Sequence, residues 1–213
     1  MKAKKSKNRI LTLFGSGETS PHMAKNYRHI IDGLSYDLQK NLLLDTPFGF
    51  QENNMILSKK IQDYFASKIN LKLKSLKLTS EESYSNEHTA LLSNADFIFS
   101  GPGSPTYASK IWLKHNLGDV LKNKLKSGVV MAFASAAALT LGRYVIPVYE
   151  IYKVGDLQGL NEGLNVLDFL GKDTVIVPHF NNQEGGDHDT SHCFIGKKRF
   201  NNLIDGLDVI TIG

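Results

Sequence analysis

Residues 128–142, GVVMAFASAAALTLG, constrain the fold more than any other stretch of the chain. The first half is an apolar run carrying β-branched residues and reads as a buried parallel strand. It gives way at Ala134-Ser135-Ala136-Ala137-Ala138 to a segment of good helix formers. One hydroxyl is thereby set where a strand turns abruptly into a helix. Such a turn demands strained dihedrals and small neighbours, and it lifts the serine oxygen over the sheet edge. That setting suits a nucleophile.

The alternation of strand and helix continues along the chain. Residues 10–14 read as a strand closed by Gly15-Ser16-Gly17, and Ser20-Pro21 opens a helix running towards Gly33. A strand over 41–45 and a helix over 54–69 follow, then a strand over 71–78 and a polar loop over 79–86. Phe97-Ile98-Phe99 is a strand ending in Gly101-Pro102-Gly103, and Ser104-Pro105 starts the next helix. Beyond residues 128–132, strands are expected over 145–152, 174–177 and 209–212, with a helix near 197–203. This order predicts an α/β three-layer sandwich, a mostly parallel doubly wound sheet covered on both faces. Ligands in such sheets bind beyond the carboxyl ends of the strands. The turns at Gly15-Ser16-Gly17, Gly101-Pro102-Gly103 and Ser135 are therefore expected on one rim.

A chain of 213 residues is long enough for one sizeable core. Residues 10–213 read as a single α/β domain and residues 1–9 as a basic, flexible tail. The formal charge is +4. Lys2, Lys4, Lys5, Lys7 and Arg9 supply five positive charges with no acid among them, so the rest sums to −1, the +4 of the whole less those five. The body has no basic excess to neutralise phosphates, which argues against a nucleic-acid partner. The apolar run after the tail is too short for a secretory core, and no window reaches the length of a membrane span. A single cysteine, Cys193, excludes an internal disulfide framework and fits a cytoplasmic location.

A serine needs a base to take its proton, and the base needs a group to hold its tautomer. Among seven histidines, His22, His29, His88 and His115 fall in expected helices or their approaches. His179 follows Thr174-Val175-Ile176-Val177-Pro178 and so sits past a strand end, on the same rim as Ser135. Its alternative is a structural, hydrogen-bonded loop histidine. Glu150 stands in the otherwise apolar Tyr149-Glu150-Ile151-Tyr152, where a charge needs a partner, and is the candidate acid. Its alternative is a solvent-facing carboxylate on an edge strand. The amides of Ala136 and Gly103 are candidates for holding a developing oxyanion. His179, Glu184, Asp187, His188, Asp189, His192 and Cys193 form a dense set of potential ligands. Their spacing matches no compact metal motif and Gly185-Gly186 marks a loop, so no metal and no cofactor is expected.

With those residues in view, the chain resembles the dipeptidase E and cyanophycinase family of serine peptidases. Its nucleophile elbow is matched by Phe133-Ala134-Ser135-Ala136-Ala137 and its glycine-rich turn by Ser100-Gly101-Pro102-Gly103-Ser104-Pro105. Its later segments are matched by Gly163-Leu164-Asn165-Val166-Leu167 and Val177-Pro178-His179-Phe180. The resemblance implies a class I glutamine amidotransferase-like fold, Ser135 as nucleophile, His179 as base and Glu150 as acid. It further implies a small peptide substrate containing an aspartyl residue, with Gly101, Arg199 and Lys198 at the substrate, and a homodimer. Three positions depart from the family. Phe133 replaces the usual glycine, which is expected to change the packing of the elbow. Val177 stands where cyanophycinase-like members carry aspartate, and residues 181–196 replace an arginine-rich run. Two other readings compete: a non-catalytic amidotransferase-like binding module, and a metal-dependent hydrolase built on residues 179–192.

Overall fold

The computed structural model describes residues 9–213, so residues 1–8 of the expected basic tail lie outside the described residues. The central sheet runs in the order β1-β5-β4-β2-β3, parallel at every pairing. Its strands are β1 (Leu11–Phe14), β2 (Asn41–Leu44), β3 (Lys74–Ser75), β4 (Phe97–Ser100) and β5 (Val130–Ala134). Every residue of β2, β4 and β5 is buried. Successive side chains of a strand point to opposite faces, and both faces are covered here, so the apolar runs are continuous. Leu42, Leu44, Ile98, Met131 and Phe133 join one core cluster. Leu43, Phe97, Phe99, Val130 and Ala132 join the other.

Helices complete the two outer layers. Leu92, Trp112 and Leu121 bring α3 (Asn86–Asn94), α4 (Pro105–Lys114) and α5 (Leu117–Lys126) onto the first cluster. Tyr27 and Ile61 bring α1 (Ala24–Asp32) and α2 (Asn54–Tyr64) onto the second. The Ser104-Pro105 start is as expected: the Ser104 hydroxyl accepts from the Tyr107 amide at 3.1 Å, with proline in the first turn.

A second sheet follows in the order β7-β6-β8-β9. It comprises β6 (Tyr144–Val145), β7 (Asn161–Glu162), β8 (Thr174–Val177) and β9 (Asp208–Thr211), antiparallel only between β6 and β7. The two sheets meet where β1 and β9 end. A Cβ on Gly15 would lie 2.7 Å from the carbonyl oxygens of Ile212 and Gly213, so the chain fits there only with glycine. The expected doubly wound α/β architecture is present, with its hydrogen-bonded ladder split in two. Among the described residues no helix is long and apolar enough to cross a membrane.

Two expected strands are shorter than their apolar patterns. In 71–78 only Lys74 and Ser75 pair, and Lys77 turns out of the strand at φ 60°. In 145–152 pairing stops at Val145, because Pro147 has no N–H to continue a ladder. Residues Glu150–Val154 coil into a π-helical turn instead.

Candidate active site

The site begins at the end of β5. The Ser135 amide still donates to the Phe14 carbonyl at 3.0 Å, extending the ladder by one bond. The backbone then breaks sharply, with Ser135 at φ 50° and ψ −123°, and enters α6 (Ala136–Leu139). A left-handed φ on a non-glycine residue costs about 1–3 kcal/mol and persists only where the surroundings enforce it. Here the Ala137 amide donates to the Gly101 carbonyl at 3.2 Å, tying the elbow to the turn after β4. Ala136, Ala137 and Ala138 are all buried, so the turn leads into a run of small side chains packed in the interior. Phe133 does not crowd it. Its side chain is fully buried and meets Trp112 in the core, so the glycine of the resembling motif is not needed for clearance.

β8 delivers the imidazole. Pro178 ends the strand, His179 turns at φ 51°, and its Nε2 stands 2.9 Å from Ser135 Oγ. With the proton on Nδ1, Nε2 accepts from the hydroxyl, the arrangement that deprotonates a nucleophile. The Phe194 ring lies 4.9 Å from the imidazole, centroid to centroid. Burial holds His179 below its ordinary pKa near 6.5, opposed by the negative charge of Glu184. The imidazole is therefore neutral at neutral pH and free to take a proton.

Both side chains open into a cavity of about 330 Å³ that Ala136, Gly103, Phe194 and Glu18 also line. The Ala136 amide is the first of α6 and has no acceptor within the helix. The Gly103 amide has no hydrogen-bond acceptor among the described residues, whereas the next amide, Ser104, donates to Pro47. Gly103 has φ 145°, and a Cβ there would lie 2.0 Å from the Pro47 carbonyl oxygen. Close passage against 46–48 thus requires glycine and leaves the amide free.

The remaining expected residues do not line this cavity. Glu150 Oε2 accepts from Thr106 Oγ1 at 3.1 Å, and no hydrogen bond joins it to His179. The carboxylate whose charge reaches the imidazole is Glu184. Gly101 contributes its carbonyl to the elbow and is not part of the cavity lining. Arg199 donates to the Ile195 carbonyl at 3.5 Å and lines a separate cavity with Ile151 and Leu157, while Lys198 is exposed on α7 (Lys197–Leu203).

The segment 179–196 leaves the rim at His179 and returns to line the cavity at Cys193 and Phe194. Among the described residues no three His, Cys, Asp or Glu side chains converge as metal ligands. Asp189 accepts from the Ser191 hydroxyl and amide and from the Lys197 amide, which hold its carboxyl down at about 2. Burial pushes the Cys193 thiol up, and its sulfur donates to the Pro178 carbonyl at 3.0 Å. His192, Cys193 and Phe194 all adopt positive φ, a left-handed turn that brings Phe194 against His179.

Glu18 is the lining residue that the motif reading passes over. It follows the Gly15-Ser16-Gly17 turn expected on this rim, and a charged residue at a glycine-rich strand end is the signal that marks it. Only 7% of its surface is exposed, and burial raises its pKa.

No family model matches the chain, and no protein of curated function matches it. Solved structures do. A peptidase from an acI-B1 Actinobacterium superposes with a TM-score of 0.71 at 22% identity, covering 95% of this chain and 79% of its own. A protein from Listeria monocytogenes EGD-e, provisionally named Peptidase E, superposes with a TM-score of 0.62 at 14% identity, covering 96% and 90%. The chain has the fold of these two structures. The likeness agrees with the dipeptidase E resemblance read from the motifs, and at such identities it establishes the shared architecture.

Proposed function

We propose that the chain is a serine-type peptidase of the dipeptidase E kind, with a class I glutamine amidotransferase-like fold, acting on a small peptide or isopeptide. The observation carrying this reading is the 2.9 Å Ser135–His179 pair on a strained strand-to-helix turn, facing a cavity with two unused amides. Ser135 Oγ attacks the substrate carbonyl while His179 Nε2 takes its proton. The oxyanion is held by the Gly103 and Ala136 amides. His179 then passes the proton to the departing amine as the carbonyl–nitrogen bond breaks. Water, deprotonated by His179, attacks the acyl-serine, releasing the acid and restoring the Ser135 hydroxyl.

The pair works as a dyad tuned by burial and by the charge of Glu184. Glu150 would have to leave Thr106 before it could orient the imidazole. A buried free thiol at Cys193 accords with a cytoplasmic location.

A fluorophosphonate probe tests the reading. Folded wild type is labelled, Ser135→Ala is not, and Ser104→Ala is. Failure to label folded wild type overturns the peptidase reading in favour of a binding module that shares the fold.

A further inference from the structure

The geometry points to Glu18 as the residue that selects the acyl side of the substrate, by receiving an ammonium or guanidinium carried by the residue whose carbonyl Ser135 attacks. This rests on the peptidase reading of the same cavity and names the substrate class it takes.

Glu18 lines the cavity together with Ser135, His179 and Gly103 while remaining more than nine-tenths buried. One carboxylate oxygen stands 3.7 Å from where a Cβ on Gly101 would lie, beside the turn that presents the Gly103 amide. The acid and the oxyanion donor are thus neighbours on one wall. No lysine or arginine lines the cavity, and among the described residues no other side chain hydrogen-bonds to Glu18 or forms an ion pair with it. Its own backbone amide is its hydrogen-bond donor. The nearby Tyr27 hydroxyl is buried with no partner, and burial first, then the Glu18 charge, disfavours its ionisation.

A carboxylate withdrawn from water without a counter-charge is costly, and the cost is relieved when a cation enters beside it. An aspartyl side chain in the same space would set two carboxylates together with nothing to separate them. The wall therefore accepts a cation and disfavours a side-chain carboxylate in the same space, so an aspartyl acyl residue would have to turn its α-ammonium, not its carboxylate, towards Glu18. A cavity of about 330 Å³ holds one residue rather than an extended peptide. The cation comes either from a free α-amino group or from a lysine or arginine side chain.

Coumarinyl amides of free Ala, N-acetyl-Ala, N-acetyl-Lys, N-acetyl-Arg and free Asp distinguish these sources. The expected result is a kcat/KM at least tenfold higher for a cationic acyl residue than for N-acetyl-Ala. In Glu18→Gln that ratio falls towards one, with the loss in KM. Preference for free Ala assigns the α-ammonium, and preference for N-acetyl-Lys or N-acetyl-Arg assigns the side chain. Protection of Ser135 from the fluorophosphonate reads the same selectivity without turnover. Amides of cationic residues slow labelling of wild type but not of Glu18→Gln. Equal handling of neutral and cationic compounds by labelled wild type, or a preference unchanged in Glu18→Gln, overturns this inference alone. Wild type that is not labelled at all overturns the peptidase reading beneath it.

Discussion

Phe133 meets Trp112 edge to face at 6.4 Å between ring centroids, and the Trp112 indole N–H donates to Thr46 Oγ1 at 2.8 Å. The residue that departs from the resembling elbow motif is thus part of the core that joins β5, α4 and the segment after β2. Phe133→Gly is expected to destabilise the protein by about 3–5 kcal/mol through the cavity it leaves. Tm then falls by on the order of 10 °C. Below the transition, Ser135 is still labelled by a fluorophosphonate. Denaturant unfolding with labelling of the folded fraction checks both parts, and a normal Tm with lost labelling would place Phe133 in the elbow instead.

The layered fold is legible because β2, β4, β5 and β8 are apolar at nearly every position, the mark of strands covered on both faces. Ser135 and His179 are legible for a related reason, since each stands just past such a run. Glu150 is not placed by the same logic. Pro147 ends the pairing before it, and the partner it finds is Thr106, 44 residues away in the chain. Glu18 reaches the cavity, and the charge of Glu184 the imidazole, only through the convergence of β1, β4, β5 and β8. No local pattern tells whether a carboxylate after a glycine turn points inward or into water.

The pH dependence of kcat/KM should report His179. In the proposed mechanism His179 works only when neutral, and burial holds its pKa below the ordinary value near 6.5. The acid limb of the profile is therefore expected below pH 6.5, with activity lost as His179 gains a proton. Glu184 raises the His179 pKa by its charge, so Glu184→Gln moves the limb to still lower pH. Added salt moves it the same way in wild type, because Glu184 is exposed and easily screened. A limb that Glu184→Gln leaves in place would remove that residue from the account.

Glu150→Gln separates the dyad from a triad. The glutamine carbonyl still accepts from Thr106 Oγ1, so kcat/KM is expected within about threefold of wild type, the scale of one hydrogen bond. An acid that held the His179 tautomer would cost about 10⁴-fold in kcat on the same change. Steady-state kinetics on any cleaved amide decides between these values.

Gly103→Ala tests the oxyanion site through the backbone. Its φ of 145° is closed to alanine, and the new methyl would meet the Pro47 carbonyl oxygen at 2.0 Å. The turn has to shift, carrying the Gly103 amide away from the carbonyl that Ser135 attacks. The expected loss is about 10²–10³-fold in kcat, the effect of removing one oxyanion donor, together with about 1–3 kcal/mol of stability from strain. Gly155→Ala is the control for strain alone. Gly155 also has positive φ, 79°, but nothing lies within 4 Å of its added Cβ and it does not line the cavity. It should lose about 1 kcal/mol of stability with kcat unchanged. Equal kcat losses in the two variants would mean that general loosening of the fold, rather than the aim of one amide, accounts for the effect at Gly103.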